Sequence, residues 1–242
     1  DKDAVRNAGM SSPEYKGSKN RGSESYDPGK LDWDALYYWR VDEIDSLGNP
    51  AKGPLWSFTT ADFLVVDDFE DYTDNDAANE AIWQSWTDGF ATPAVNGSQV
   101  GNTMPPYAGK AIVHSGLQSM PYTYNVDQKY AEATMTLTYP RDWTERGVDT
   151  LTIWFHGHIL NYASPMYVAL NGSAVVYHAD PKATQIHAWT QWSIPLKVFA
   201  DKGVNLANVN TIAIGFGDKS KVQAGGSGKM YFDDIGLYPP KP

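Results

Sequence analysis

Cysteine is absent from the 242 residues, which excludes disulfides and cysteine-ligated zinc or iron–sulfur centres. Its absence does not fix a compartment. No apolar run approaches the ~18 residues that a membrane-spanning helix needs. Positive charge is scarce: 19 Lys and Arg stand against 29 Asp and Glu, a formal net charge of −10. A chain of that sign repels phosphate polymers, which argues against nucleic acid or an acidic membrane as partner. Three catalytic signatures are also missing: the G-x-S-x-G elbow, the phosphate-binding P-loop and H-E-x-x-H. No leader-like segment is visible and the chain opens on Asp1, so it reads as a processed product or a fragment.

What is present favours β-structure. Apolar residues make up 42% and charged residues 20%, enough apolar surface for a core. Nine Trp and fifteen Tyr suit pleated sheets and flat-faced ligands such as sugars. Residues 1–30 are polar and aperiodic, and read as loop or periphery. From there the pattern changes. Tyr37, Trp39 and Val41 alternate with Tyr38, Arg40 and Asp42, a period of two that marks a strand. A turn over 46–50 and a second strand over 55–60 complete a hairpin. Tyr37 stands six residues after Leu31, the spacing of a tyrosine corner, in which a Tyr hydroxyl bonds backbone upstream. The run from Tyr37 to Thr60 resembles the last two strands of a fibronectin type III domain. Too few residues precede it for the opening strands. A half-sandwich has an apolar face to bury, and its missing strands must then come from elsewhere.

Beyond residue 61, short strand candidates separated by Gly, Pro, Asn and Asp fall at 63–69, 111–114, 119–124, 131–139, 150–156, 166–170, 174–178, 189–196, 211–216 and 230–238. Only 76–86 looks helical. This is the pattern of an all-β fold, an antiparallel β-sandwich or jelly roll. The expected organisation is a fibronectin-like segment over 1–60 and a jelly-roll domain over 61–242.

That second segment is acidic at both ends: Val65-Val66-Asp67-Asp68-Phe69-Glu70-Asp71 opens it and Tyr231-Phe232-Asp233-Asp234-Ile235-Gly236-Leu237 closes it. Carboxylates within apolar strands are costly unless compensated. The terminal strands of a jelly roll often lie side by side, and a hard dication such as calcium relieves the repulsion of two acidic clusters with oxygen ligands. The competing reading is of solvated strand ends paired with Lys or capping turns.

These two end motifs resemble bacterial carbohydrate-binding modules of the galactose-binding-like jelly-roll superfamily, over roughly residues 62–238. The resemblance implies a structural calcium held by Glu70 with a neighbouring Asp67 or Asp68, and by Asp233 with Asp234 beside it. A fibronectin-like unit followed by such a module also resembles large secreted multidomain proteins of environmental bacteria, planctomycetes among them.

Sugar rings stack their apolar faces on exposed aromatic side chains. In 150–156, Leu151, Ile153 and Phe155 form the more apolar face, which leaves Trp154 outward between Thr152 and His156. By the same alternation Tyr167 faces outward. Tyr122 and Tyr124 share one face, and Trp143 and Trp189 lie near turns. A platform of Trp154, Tyr167 and one of the two Tyr is one arrangement. Burial of most of these rings in the core is the competing one.

Two further features invite chemistry. Glu43-Ile44-Asp45 is similar to part of a laminarinase-type glycosidase signature, but the second Glu is missing, and hydrolysis needs two facing carboxylates. His156-Gly157-His158 could share a metal, with His114, His178 or His187 as a third ligand, unless Gly157 breaks the strand. The sequons at Asn96 and Asn171 read as hairpin turns.

The sequence therefore points to a non-catalytic, calcium-stabilised carbohydrate-binding module outside the cell, with a polysaccharide or oligosaccharide as partner. The alternatives are a structural or adhesion module that self-associates by strand exchange through the incomplete N-terminal sandwich, and a His-dependent metalloenzyme.

Overall fold

A computed structural model of the chain describes residues 1–240 apart from 24, 91–93 and 221–224, and every side chain among them but that of residue 128. The chain divides into two compact units, 1–62 and 63–242.

The first unit is a helical turn and a twin hairpin. Helix α1 (Lys2–Asn7) interrupts the expected loop, because the Asp1 carboxylate caps its first turn by accepting from the N–H groups of Asp3 and Ala4. Strands β1 (Leu36–Arg40), β2 (Glu43–Ile44), β3 (Pro50–Ala51) and β4 (Leu55–Thr59) follow. β1 and β4 pair antiparallel, and β2 pairs with β3 nearer the turn. The Tyr37 hydroxyl accepts the Asp32 N–H at 2.9 Å, the upstream backbone bond expected of this Tyr. The Arg40 guanidinium donates to the Val5, Arg6 and Ala8 carbonyls and so satisfies the open end of α1. Cross-strand pairs Tyr37–Phe58 and Trp39–Trp56 line one face, and Trp39 and Trp56 are 45% and 42% exposed.

The second unit is an antiparallel β-sandwich of jelly-roll type. In chain order it contains β5 (Leu64–Asp67), α2 (Ile82–Ser85), β6 (Trp86–Thr87), β7 (Ser98–Val100), β8 (Met120–Asn125), β9 (Ala131–Thr136), β10 (Thr150–His156), β11 (Met166–Leu170), β12 (Ala174–Tyr177), β13 (Thr190–Pro195), α3 (Leu196–Ala200), β14 (Thr211–Phe216) and β15 (Ser227–Tyr238). One sheet runs β12-β11-β14-β9-β6, and the other runs β13-β10-β15-β8-β7 with β5 also on β15. Period-two burial sets the facing. Leu151, Ile153, Phe155, Met166, Val168, Leu170, Ile212, Ile214 and Phe216 fill the space between the sheets.

Two expected elements differ. Residues 111–114 are not a strand, since the His114 N–H goes to a side-chain carboxylate instead of a ladder. The expected helix over 76–86 is a 3-10 turn, Asp76–Ala78, followed by the short α2, with Asn79 in a left-handed conformation between them. No helix among the described residues is long and apolar enough to cross a membrane.

Candidate functional site

The longest strand, β15, organises the site. Along one edge it pairs with β10, and along the other it pairs first with β8 and then with β5. The changeover falls at Asp233 and Asp234, where the register against β10 slips and Asp234 takes a positive φ of 45°, and the register against β5 slips just beyond, between Ile235 and Gly236. This is a bulge, a device that re-aims side chains. The loop 112–118 folds over it. The Asp233 carboxylate is fully buried and accepts the N–H groups of His114 at 2.8 Å and Ser115 at 3.4 Å. Asp234 accepts from His114 Nδ1 at 2.6 Å and Ser115 Oγ at 2.9 Å. Glu70, just past β5, accepts the N–H groups of Leu117 and Gln118 at 2.9 and 3.0 Å.

One loop thus supplies donors to both acidic ends of the unit. Peptide dipoles carry much of the compensation that buried carboxylates require. Gly116 is required there: its φ is +65°, and a Cβ would run into the Glu70 carboxylate. Burial pushes the Asp233 carboxyl up to about 6, and the neighbouring Asp234 charge adds to it, while the loop N–H groups pull it back.

The five carboxylates expected to hold a metal do not act as one set. Glu70, Asp233 and Asp234 meet at the loop. No Lys or Arg among the described residues forms an ion pair with them, so carboxylate oxygens stand at both ends of the loop. That chemistry suits a hard cation. Among the described residues, however, no three His, Asp or Glu side chains converge as metal ligands. Asp67 is elsewhere: its carboxylate accepts from Tyr72 Oη at 2.6 Å, Trp86 Nε1 at 2.7 Å and the Phe69 N–H at 2.8 Å. Asp68 accepts the Glu70 N–H and caps its own turn. Asp67 and Asp68 thus hold their own turn, while Glu70, Asp233 and Asp234 hold the loop.

On the outer face of the same sheet, Trp154 sits opposite Asp233 on β15, and His156 opposite Tyr231. His114 from the loop stacks on Trp154, ring centroids 3.8 Å apart and planes 19° apart, and meets Trp189 edge-on at 5.6 Å. Trp189 also meets His156 at 5.6 Å, and His187 lies 5.0 Å from both His156 and His158. The Lys229 ammonium stands over Tyr231. Trp154, His156, Trp189 and Tyr231 are half-buried, so this is a continuous aromatic and imidazole surface. The Nδ1 atom of His156 is buried without a partner. Burial, with the nearby His187 and His158, holds the His156 imidazole below its ordinary pKa and favours the neutral ring. β10 ends at His156, and His158 lies beyond Gly157, so the two do not share a strand face.

Four ring residues expected on a sugar platform are corrected. Tyr122, Tyr124, Tyr167 and Trp143 are fully buried. Tyr122 and Tyr124 pack against Phe216 in the core, and their hydroxyls reach the Ile214 and Tyr162 carbonyls. Tyr167 does point to the outer side of its sheet. There it lies over Gly215, where any side chain would overlap it, and donates to Glu132 at 2.9 Å. Trp143 donates its Nε1 to the Pro140 carbonyl. Sequence reasoning weighed His114 and His187 only as metal ligands and did not find Tyr231. The Asp233–Asp234 bulge, which sets the face they share, is invisible in the residue pattern. The sequon Asn96 is a latch, bonded to Ser98 and Glu132, and Asn171-Gly172 forms a turn with two positive φ angles.

No family model matches the chain, and no curated protein matches it. Solved structures do. The family 11 carbohydrate-binding module from Clostridium thermocellum, in complex with a β-1,3-1,4-mixed-linked tetrasaccharide, is 16% identical with a TM-score of 0.45, over 73% of this chain and 95% of that one. The solution structure of CtCBM11 is 14% identical with a TM-score of 0.48, over 74% and 96%. An exo-β-agarase matches at 13% and 0.48, over 74% of this chain and 25% of that one. All stand below 25% identity and a TM-score of 0.5, so the reading of function rests on this chain's own residues.

Proposed function

We propose that the chain is a non-catalytic carbohydrate-binding module that works outside the cell, and that the outer face around Trp154 and Trp189 is where sugar binds. The observation that carries this reading is the half-buried cluster of Trp154, Trp189, Tyr231 and His156 on one sheet face. Indole and phenol rings offer stacking surface for the CH faces of a sugar, and imidazole and ammonium groups offer hydrogen bonds to its hydroxyls. His114 covers one face of Trp154, which leaves Trp189 and Tyr231 as the principal platform. The proposal includes a structural calcium ion that draws together Glu70, Asp233 and Asp234, which do not converge in this structure, and fixes the loop 112–118 that carries His114.

Affinity electrophoresis against a panel of soluble polysaccharides tests the reading. Retardation by at least one neutral polysaccharide, weakened in Trp189→Ala, supports it. No retardation by any polysaccharide sinks it.

A second reading is favoured by one observation in the first unit. The Trp39–Trp56 and Tyr37–Phe58 pairs expose an aromatic stripe on a two-stranded sheet, a size that is marginal alone. A structural module that completes this sheet with a strand from another copy would use it. Concentration-dependent oligomers at micromolar protein, abolished by Trp39→Ser with Trp56→Ser, would favour that reading.

A further inference from the structure

A groove of about 560 Å³ opens on the second unit, lined from β5, the segment after it, the end of α2, β6, and the end of β9 with the residues that follow. It shares no residue with the aromatic face. Its size lies within the range of about 300–1,000 Å³ typical of ligand sites. Asp67 stands behind its lining. Three donors, from Tyr72, Trp86 and Phe69, already satisfy its carboxylate, so it shapes the groove and leaves the ligand contacts to the other lining residues. Tyr139, 64% exposed, offers a ring at the groove wall, and Met135 and Val65 add apolar surface. The hydroxyls of Thr87, Thr136 and Thr138 and the carboxylates of Asp68 and Asp71 complete the polar lining.

The chemistry of this lining is selective. Sugar hydroxyls donate to carboxylates and accept from Thr hydroxyls, while a sugar CH face fits the Tyr139 ring. No Lys, Arg or His is among the lining residues. A carboxylated or sulfated sugar would bring its charge against Asp68 and Asp71 with no cation to offset it.

We propose that this groove is a second saccharide site, independent of the Trp154 face, that takes a neutral sugar chain and excludes acidic ones. Two sites on separate surfaces of one module would let it hold two chains, or two stretches of one chain, and gain by effective concentration.

The test is calorimetric titration of the full chain with cello-, laminari-, xylo- and galacto-oligosaccharides, and with oligogalacturonate and chitosan oligosaccharides. Wild type is compared with Trp189→Ala, Tyr139→Ala and Thr136→Val. Tyr139 and Thr136 are exposed, so these variants should fold, and circular dichroism checks that they do. A neutral oligosaccharide should bind Trp189→Ala and wild type alike at the groove. Its affinity should fall by about tenfold or more in Tyr139→Ala and by less in Thr136→Val, and oligogalacturonate should not bind. Loss of all neutral binding in Trp189→Ala, with Tyr139→Ala unchanged, overturns the groove and leaves the aromatic-face reading standing. Binding confined to chitosan, or oligogalacturonate binding that Tyr139→Ala removes, also overturns it. No binding of any oligosaccharide to wild type overturns both.

Discussion

His114 lies flat against Trp154, ring centroids 3.8 Å apart, while its Nδ1 donates to Asp234 at 2.6 Å. This contact joins the acidic ends of the sandwich to its aromatic face. The carboxylate orients the imidazole, and the imidazole covers the indole. Replacing His114 with Ala removes a ring stack and a charge-assisted hydrogen bond. The expected cost is about 1–3 kcal/mol, with a red shift in tryptophan emission as Trp154 gains solvent. An unchanged emission spectrum and melting temperature would show that the stack contributes nothing in solution.

Glu70 holds the same loop from its other end. Its Oε1 accepts two backbone N–H groups, and Glu70→Ala leaves both without that partner. A loss of about 2–3 kcal/mol is expected, and Glu70→Gln, which keeps an acceptor oxygen, should lose less. The proposed calcium adds a second expectation: EDTA should lower the melting temperature of the wild type and leave that of Glu70→Ala unmoved. Equal EDTA responses in the two proteins, or none in either, would remove the cation from this site.

Asp67 was expected among those ligands and instead secures Trp86, which is fully buried. Asp67→Ala would strand the indole N–H in the core and free the Tyr72 hydroxyl. Destabilisation of about 2–4 kcal/mol follows, read from urea unfolding. Because Asp67 is not in the loop's donor set, the EDTA response should persist in this variant. If Asp67→Ala abolishes it, the assignment of Asp67 to Trp86 and Tyr72 alone is wrong.

The strands were the legible part of this fold. β10, β11 and β14 lie on the bounds that period-two alternation sets, since each has a continuous core face. Facing was legible where apolar residues alternate with Thr and His, as around Trp154. It failed at Tyr122 and Tyr124, because a Tyr whose hydroxyl finds a carbonyl is as well placed in a core as Phe. Acidic residues at both ends could be seen to need compensation. That the compensation includes backbone N–H groups of 114–118 could not, because every residue but proline carries the same donor. Gly116 is the one local mark of that loop's close approach to Glu70.

His156 gives the aromatic face a pH dependence whose sign is fixed. Its ring is held below the ordinary value of 6.5, first by burial and then by His187 and His158. Below that value the unfolded chain takes up a proton that the folded chain resists. Stability contributed here is therefore present above pH 6.5 and is lost as the pH falls through the interval between the ordinary and the lowered pKa. With calcium removed by EDTA, Asp233, raised to about 6, acts in the opposite sense, since the folded chain keeps a proton that the unfolded chain releases. The two are separable by substitution. His156→Gln should flatten the fall in melting temperature between about pH 7 and 5, and Asp233→Asn should steepen it. A His156→Gln profile parallel to wild type would mean that the folded imidazole protonates as freely as in the unfolded chain.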